Sequence, residues 1–208
     1  MNNDSVPGGD MSKDFKVKGI TILGLVKLVK KKASSEEMAS VIDNLDPADR
    51  EVLQDRILVS SWYPYRVFNN LLESIDKVLG NGDGKLAYEI GRMSAERDLT
   101  TVYRSILSFL STGFVTKKAF AAWKNYYSSG ELELIQDARD EQDRGRRVMK
   151  VRMKEFRTLS TFHCMNIVGW CEKFVELLGV SDVSVEETSC IHKGGDHCEF
   201  LLSWKEKD

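Results

Sequence analysis

The sequence predicts an α+β domain: a helical N-terminal half packed with an antiparallel sheet made of two hairpins joined by a helix. Three observations lead there. Apolar residues recur at spacings of three and four through most of residues 15–128, the period of helices with one buried stripe. From residue 129 onward, two pairs of segments alternate apolar and polar residues, as half-buried strands do. Between those pairs, Cys164, Val168, Cys171, Val175 and Leu178 return to helical spacing. Helices followed by hairpins fit helices laid on one face of an antiparallel sheet.

In chain order, residues 1–14 carry Pro7-Gly8-Gly9-Asp10 and few apolar groups, and are expected to be a flexible tail. Residues 15–208 form a single domain, with its helical half at 15–128 and its hairpin-helix-hairpin half at 129–208. Phe15 to Gly24 suit a short strand and turn. The following helix closes on Lys30-Lys31-Lys32, whose charges complement the negative end of its dipole. Ser34-Ser35-Glu36-Glu37 is a helix start, and so is Asp46-Pro47, with Asp46 as cap and Pro47 in the first helical position. Trp62-Tyr63-Pro64-Tyr65 opens a helix that continues through Val67, Leu71, Leu72, Ile75 and Leu79. Gly80-Asn81-Gly82-Asp83-Gly84 superficially suits a calcium loop, but Leu79 and Ile90 would occupy its first and twelfth ligand positions. The stretch is a helix stop and restart.

The pattern stays helical to Tyr127, with an aromatic segment holding Phe120, Trp123, Tyr126 and Tyr127. Tyr88, Arg92, Glu96, Arg97, Tyr103 and Arg104 lie on these helices, and surface ion pairs are their expected role. Glu131 to Ile135 begins a strand, Asp137 to Arg147 turns, and Met149, Val151 and Met153 then alternate with Lys150, Arg152 and Lys154. The first set should face the core and the second water.

Composition excludes several function classes. Lysine plus arginine number 30 against 32 acids, a net charge of −2, which gives no electrostatic footprint for nucleic acid. No apolar run is long enough for a membrane span and no secretory signal is present, so the expected location is cytoplasmic. The four cysteines are then thiols or metal ligands rather than disulfides.

All four cysteines (Cys164, Cys171, Cys190, Cys198) and all three histidines (His163, His192, His197) fall in the last quarter of the chain. Cys164 faces inward on its helix. Cys190 and Cys198 flank the turn Lys193-Gly194-Gly195-Asp196, and Phe200, Leu202 and Trp204 continue the apolar face beyond it. Three thiols so placed suit a structural zinc, a soft-ligand tetrahedral ion. Buried thiols also serve as small apolar groups. Cys171 lies two helical turns from Cys164, roughly 10 Å, too far to join the same ion.

Ile167-Val168-Gly169-Trp170, Leu177-Leu178-Gly179, Glu187-Thr188-Ser189-Cys190 and Gly194-Gly195-Asp196-His197-Cys198-Glu199-Phe200 resemble the 4-vinyl-reductase domain. The resemblance implies a fold like that of a vesicle-tethering subunit. It also implies zinc held by Cys164, Cys190 and Cys198, with the fourth ligand open among His192, His197, a nearby carboxylate and water. Val17-Lys18-Gly19, Leu45-Asp46-Pro47-Ala48-Asp49-Arg50, Trp62-Tyr63-Pro64, Gly91-Arg92-Met93-Ser94-Ala95-Glu96 and Trp123 to Gly130 are similar to an uncharacterised myxobacterial paralogous family.

No phosphate loop, His-Glu-x-x-His or Ser/His/Asp grouping is present in the local sequence, and no catalytic residue is assigned. The function expected is a cytoplasmic sensory or regulatory domain binding a hydrophobic small molecule in an apolar pocket, with a structural zinc. The alternative is a homodimeric interaction or scaffold module, pairing through Trp62 to Leu79 and Val102 to Leu110. An enzyme related to vinyl reductases comes third.

Overall fold

The computed structural model describes residues 15–100, 111–139 and 145–206. The expected tail at 1–14, the stretch 102–110 of the expected dimer face, Tyr103 and Arg104 lie outside these residues.

The chain begins with β1 (Lys16–Lys18) and passes straight into α1 (Gly19–Lys30), without the turn expected before Gly24. Helices α2 (Ser35–Asp43) and α3 (Pro47–Gln54) follow. Ser34 accepts from the Glu37 amide while the Glu37 carboxylate accepts from the Ser34 amide, a complete capping box. Pro47 opens α3 as expected, but the Asp46 side chain makes no cap hydrogen bond.

Trp62–Pro64 is a strand, β2, rather than the first turn of a helix, and α4 begins at Tyr65 (Tyr65–Leu79). The reason is tertiary. β2 pairs antiparallel with β1, Lys18 opposite Trp62 and Lys16 opposite Pro64, and proline is tolerated there because β2 is an edge. The apolar residues of α4 are consumed by the core: Tyr65, Val67, Phe68, Leu71, Leu72 and Ile75 are all buried. Of the stretch Trp62 to Leu79, Trp62 is the large apolar side chain left exposed. α5 (Lys85–Thr100) restarts after Gly84, where the buried Asp76 carboxylate accepts from the amides of Gly84 and Ala87. α6 (Thr112–Ala121) runs into a single 3-10 turn, Ala122–Asn125, so the aromatic segment is not one continuous helix.

In the C-terminal half, β3 (Glu131–Arg139) and β4 (Arg146–Lys154) form one hairpin, and β5 (Ser181–Ser189) and β6 (Glu199–Lys205) the other. β4 pairs with β6, giving one antiparallel sheet of order β3-β4-β6-β5. α7 (Thr161–Leu177) joins the hairpins and lies on the sheet's inner face. Met149, Val151 and Met153 are buried, as are Phe200, Leu202 and Trp204. Arg152 is only half exposed, because it donates to the Glu199 carboxylate across the outer face.

Helix α7 is also fixed from its other side, by α5. A Cβ at Gly169 would sit 2.0 Å from the Tyr88 carbonyl oxygen, and one at Gly91 would sit 2.1 Å from that of Asn166. Both glycines are where they are because two helix backbones touch. The seam is closed by Arg92, which reaches Glu172 at 2.6 Å and Glu176 at 2.9 Å, with the Tyr88 hydroxyl donating to Glu172. This is the ion pairing expected of Tyr88 and Arg92, placed between helices rather than on open surface.

Two outcomes check this packing. Gly169→Ala gains about 1 kcal/mol of helix propensity yet should destabilise the protein by several kcal/mol, because the obstructing atoms are backbone. Val151→Asp should cost more than about 3 kcal/mol or prevent folding, whereas Arg152→Gln should cost about 1 kcal/mol. Urea denaturation followed by circular dichroism reads all three.

Candidate functional site

The first turn of α7 carries two polar groups on neighbouring residues, which project about 100° apart around a helix. Cys164 faces the β5–β6 hairpin and His163 faces the helical half. Each sits in a distinct cluster.

On the hairpin side, Cys164 Sγ lies 3.9 Å from Cys190 Sγ and 3.7 Å from Cys198 Sγ. Cys190 follows the end of β5, Cys198 precedes β6, and the turn between them uses Gly194 at φ +89°, a conformation that favours glycine. The Glu187 carboxylate joins them, so that one ligand atom from each of the four residues lies within 4.8 Å of every other. The three cysteines are buried and unpaired by disulfide. Glu187 Oε2 accepts from Lys193, no N–H or O–H donor reaches its buried Oε1, and the carboxylate lies against the Cys190 thiol. The Thr158 hydroxyl sits behind the sulfurs, 3.4 Å from Cys164 and 3.7 Å from Cys198, and contacts His192 Nε2 at 3.0 Å.

These thiols differ in acidity. The hydrogen bond with Cys164 lowers Cys198, so it is the more acidic member of that pair, and the same bond raises Cys164. Burial pushes Cys190 up to about 11. Cys171 is buried apart from the cluster, and burial alone pushes it to about 12.

A tetrahedral ion bound to sulfur at about 2.3 Å has sulfur–sulfur edges of about 3.8 Å. The two measured separations match that edge. Of the expected ligand residues, Cys164, Cys190 and Cys198 are together. Among the candidates for the fourth position, the carboxylate is the one present: Glu187, which was not singled out from the sequence. The signal existed. Val183 and Val185 fix the inner phase of β5, the same phase puts Glu187 inward, and it pairs with buried Phe200. His192 is turned to Thr158, and His197 Nε2 lies 3.6 Å from Glu199.

On the other side of α7, His163 is completely buried. Its Nδ1 lies 2.5 Å from the Tyr65 hydroxyl and its Nε2 3.1 Å from the Tyr127 hydroxyl. A neutral imidazole has one donor and one acceptor nitrogen, so it satisfies both. Phe68, Trp123 and Phe156 pack around it, and Phe15 stacks on Phe156. Burial pushes His163 from 6.5 down to about 3 and raises both tyrosines far above their usual range. The sequence alone assigns His163 no partner. Its partners, 98 and 36 positions away in the chain, leave no local signature.

No family model matches the chain, and no curated protein matches it. Solved structures do. An H-NOX protein from S. oneidensis in its Fe(II) ligation state superposes with a TM-score of 0.65 at 11% identity, covering 92% of this chain and 97% of that one. A structure probing heme distortion in the H-NOX family gives 0.61 at 13% identity, covering 92% and 95%. The phenol-responsive sensory domain of the transcription activator PoxR, solved with phenol, gives 0.51 at 15% identity, covering 83% and 92%. What is shared at such identities is the fold. The α+β architecture stands, but the 4-vinyl-reductase assignment, and with it the myxobacterial one, is overturned by these neighbours and by the lack of a matching family. Short runs such as Gly-Gly-Asp-His-Cys report turn chemistry and thiol placement, which recur without kinship.

Heme, the group studied in the second of those proteins, needs an axial side chain with a free donor atom beside a cavity. Among the described residues, His163, His192 and the clustered thiols do not offer one. His163 has both nitrogens occupied inside a packed aromatic shell, His192 contacts Thr158, and three of the thiols crowd one another.

The buried histidine has a consequence in acid. Its folded pKa lies below its unfolded value, so the unfolded chain takes up the proton first. Stability is fully present above about pH 6.5 and is lost as pH falls toward 3, by up to about 1.4 kcal/mol per pH unit. Urea midpoints across that window should fall steeply for the wild type and less steeply for His163→Gln.

Proposed function

We propose that the chain is a sensory or regulatory domain that binds a small hydrophobic molecule and whose C-terminal hairpin is pinned by a structural zinc ion. The fold supports the first part, since H-NOX proteins and the phenol-responsive PoxR domain share it at TM-scores of 0.65 and 0.51. A ligand would have to open space between the helical half and the inner face of the sheet, a layer filled with apolar side chains, where a displacement of α7 or its neighbours would be felt by both halves.

The observation that carries the zinc is the buried Glu187 carboxylate gathered with three thiols, two of whose sulfur–sulfur separations match a tetrahedral edge. A carboxylate oxygen is costly to bury without a partner, whereas neutral thiols are not. A cation among the sulfurs would satisfy it. Three sulfurs and one oxygen select zinc over calcium or magnesium, which take oxygen ligands. Cys164, Cys190, Cys198 and Glu187 would hold the ion and fill its four positions, so it would brace the fold rather than offer an open site for chemistry. Thr158 would orient the sulfurs from behind.

Protein purified without added metal should carry about one equivalent of zinc by elemental analysis. Cys190→Ser and Cys198→Ser should lose it, Glu187→Gln should bind it at least about tenfold more weakly, and Cys171→Ser should keep it. A native mass spectrum of the same sample reads any apolar molecule that co-purifies. A folded, metal-free wild type would reject the zinc. No adduct, together with no thermal shift across a panel of small aromatic and aliphatic compounds, would reject the sensor.

A further inference from the structure

The described residues expose seven large apolar side chains, and five of them fall on one small region around the β1–β2 ribbon: Ile20, Leu58, Val59, Trp62 and Tyr126. Backbone bonds make the region continuous. The Ile20 amide donates to Val59, the Gly19 amide to Ser61, and the Lys18 amide to Tyr126. Within the ribbon, Val17 and Tyr63 form the inward pair, so Lys16, Lys18, Trp62 and Pro64 share the outward face. Leu58 and Val59, 50% and 56% exposed, sit on the turn that caps the start of α1.

Cations outnumber acids around these side chains, Asp55 being the exposed acid beside Arg56. Lys18 Nζ lies 4.9 Å from the Trp62 ring centroid, Lys16 is exposed beside it, and Arg56 is exposed next to the Leu58 turn. Among the described residues, none of these three cations is paired with a carboxylate, although most basic side chains of the C-terminal half are. The chain as a whole is slightly acidic, so this is a local excess.

We propose that this face seats the protein on an anionic lipid surface. Residue types favour lipid over a protein partner. Lysine is depleted from protein–protein interfaces, whereas lysine beside tryptophan, with protruding aliphatic side chains, is the composition that sits at a bilayer's headgroup boundary. A second copy fits worse, because two such faces would oppose like charges. Trp62 would lie at headgroup depth, Leu58 and Val59 would enter the acyl boundary, and Lys16, Lys18 and Arg56 would meet lipid phosphates. The contact is peripheral, and no helix among the described residues is long and apolar enough to cross a membrane.

The test is co-sedimentation of the full chain with vesicles of phosphatidylcholine alone or mixed with phosphatidylglycerol, at low and high salt. The expected result is binding to the mixed vesicles, weakened by salt and much weaker on phosphatidylcholine. Lys16→Glu with Lys18→Glu, and separately Leu58→Ser with Val59→Ser, should each reduce partitioning roughly tenfold or more. Because Lys16, Leu58 and Val59 are exposed and Lys18 is only half-buried, both variants should keep the wild-type circular dichroism and melting temperature. Three results would overturn the proposal: no binding to anionic vesicles, binding unchanged in both variants, or light scattering showing a dimer that the Leu58/Val59 variant abolishes. Binding of polyglutamate without binding of vesicles would assign the face to an acidic protein and overturn it equally.

Discussion

A carboxylate oxygen shut away from water beside three thiols is the constraint around which the C-terminal half is arranged. No N–H or O–H donor reaches Glu187 Oε1, and its carboxylate lies against the Cys190 thiol. Nothing in local strand or turn preference asks for that arrangement, which gathers one residue from α7, one from β5 and two flanking the hairpin turn. With the proposed zinc at the centre, the four residues would become a clamp between a helix and a hairpin. The binding free energy of the ion would then count as folding free energy for the hairpin, alongside its pairing with β4 and its packing on α7.

The thiol cluster meets the rest of the molecule through α7. Cys164 and His163 are successive residues, yet one looks into the thiol cluster and the other into the aromatic shell of Tyr65, Tyr127, Trp123 and Phe156. Six residues further on, Gly169 lets the α5 backbone touch α7. One helix thus holds the sheet, the hairpin, α4 and α5 in register. A molecule lodging between the layers would have to move α7 or its neighbours, and the clamp and the glycine seam would spread that movement through both halves of the fold.

Much of this was legible in the sequence, for reasons of period. Cys164, Val168, Cys171 and Val175 are buried as their spacing requires, Met149, Val151 and Met153 face inward, and Ser34 and Glu37 form the capping box their identities suggest. Period also encodes Glu187, two residues beyond Val185 on the same face, although its charge argued for the surface. Trp62–Pro64 was read as a helix start because its strand character comes from pairing with Lys16–Lys18, about 46 positions away, and not from its own residues. The same distance in sequence hid the partners of His163. Arg152 was read as a water-facing charge, and only the β4–β6 register shows Glu199 opposite it. The short Cys and Gly-Asp motifs suggested kinship because turn and thiol chemistry limit which residues can serve there. Agreement at those few positions carries little information about the remaining chain.

The ligand set of the metal is open to direct measurement. Zinc K-edge X-ray absorption on the full chain, purified without added metal, should show three sulfur neighbours at about 2.3 Å and one oxygen at about 2.0 Å, with the oxygen shell altered in Glu187→Gln. A zinc shell of nitrogen and oxygen alone, or an unaltered spectrum in that variant, would contradict the assignment of Cys164, Cys190, Cys198 and Glu187 as the four ligands.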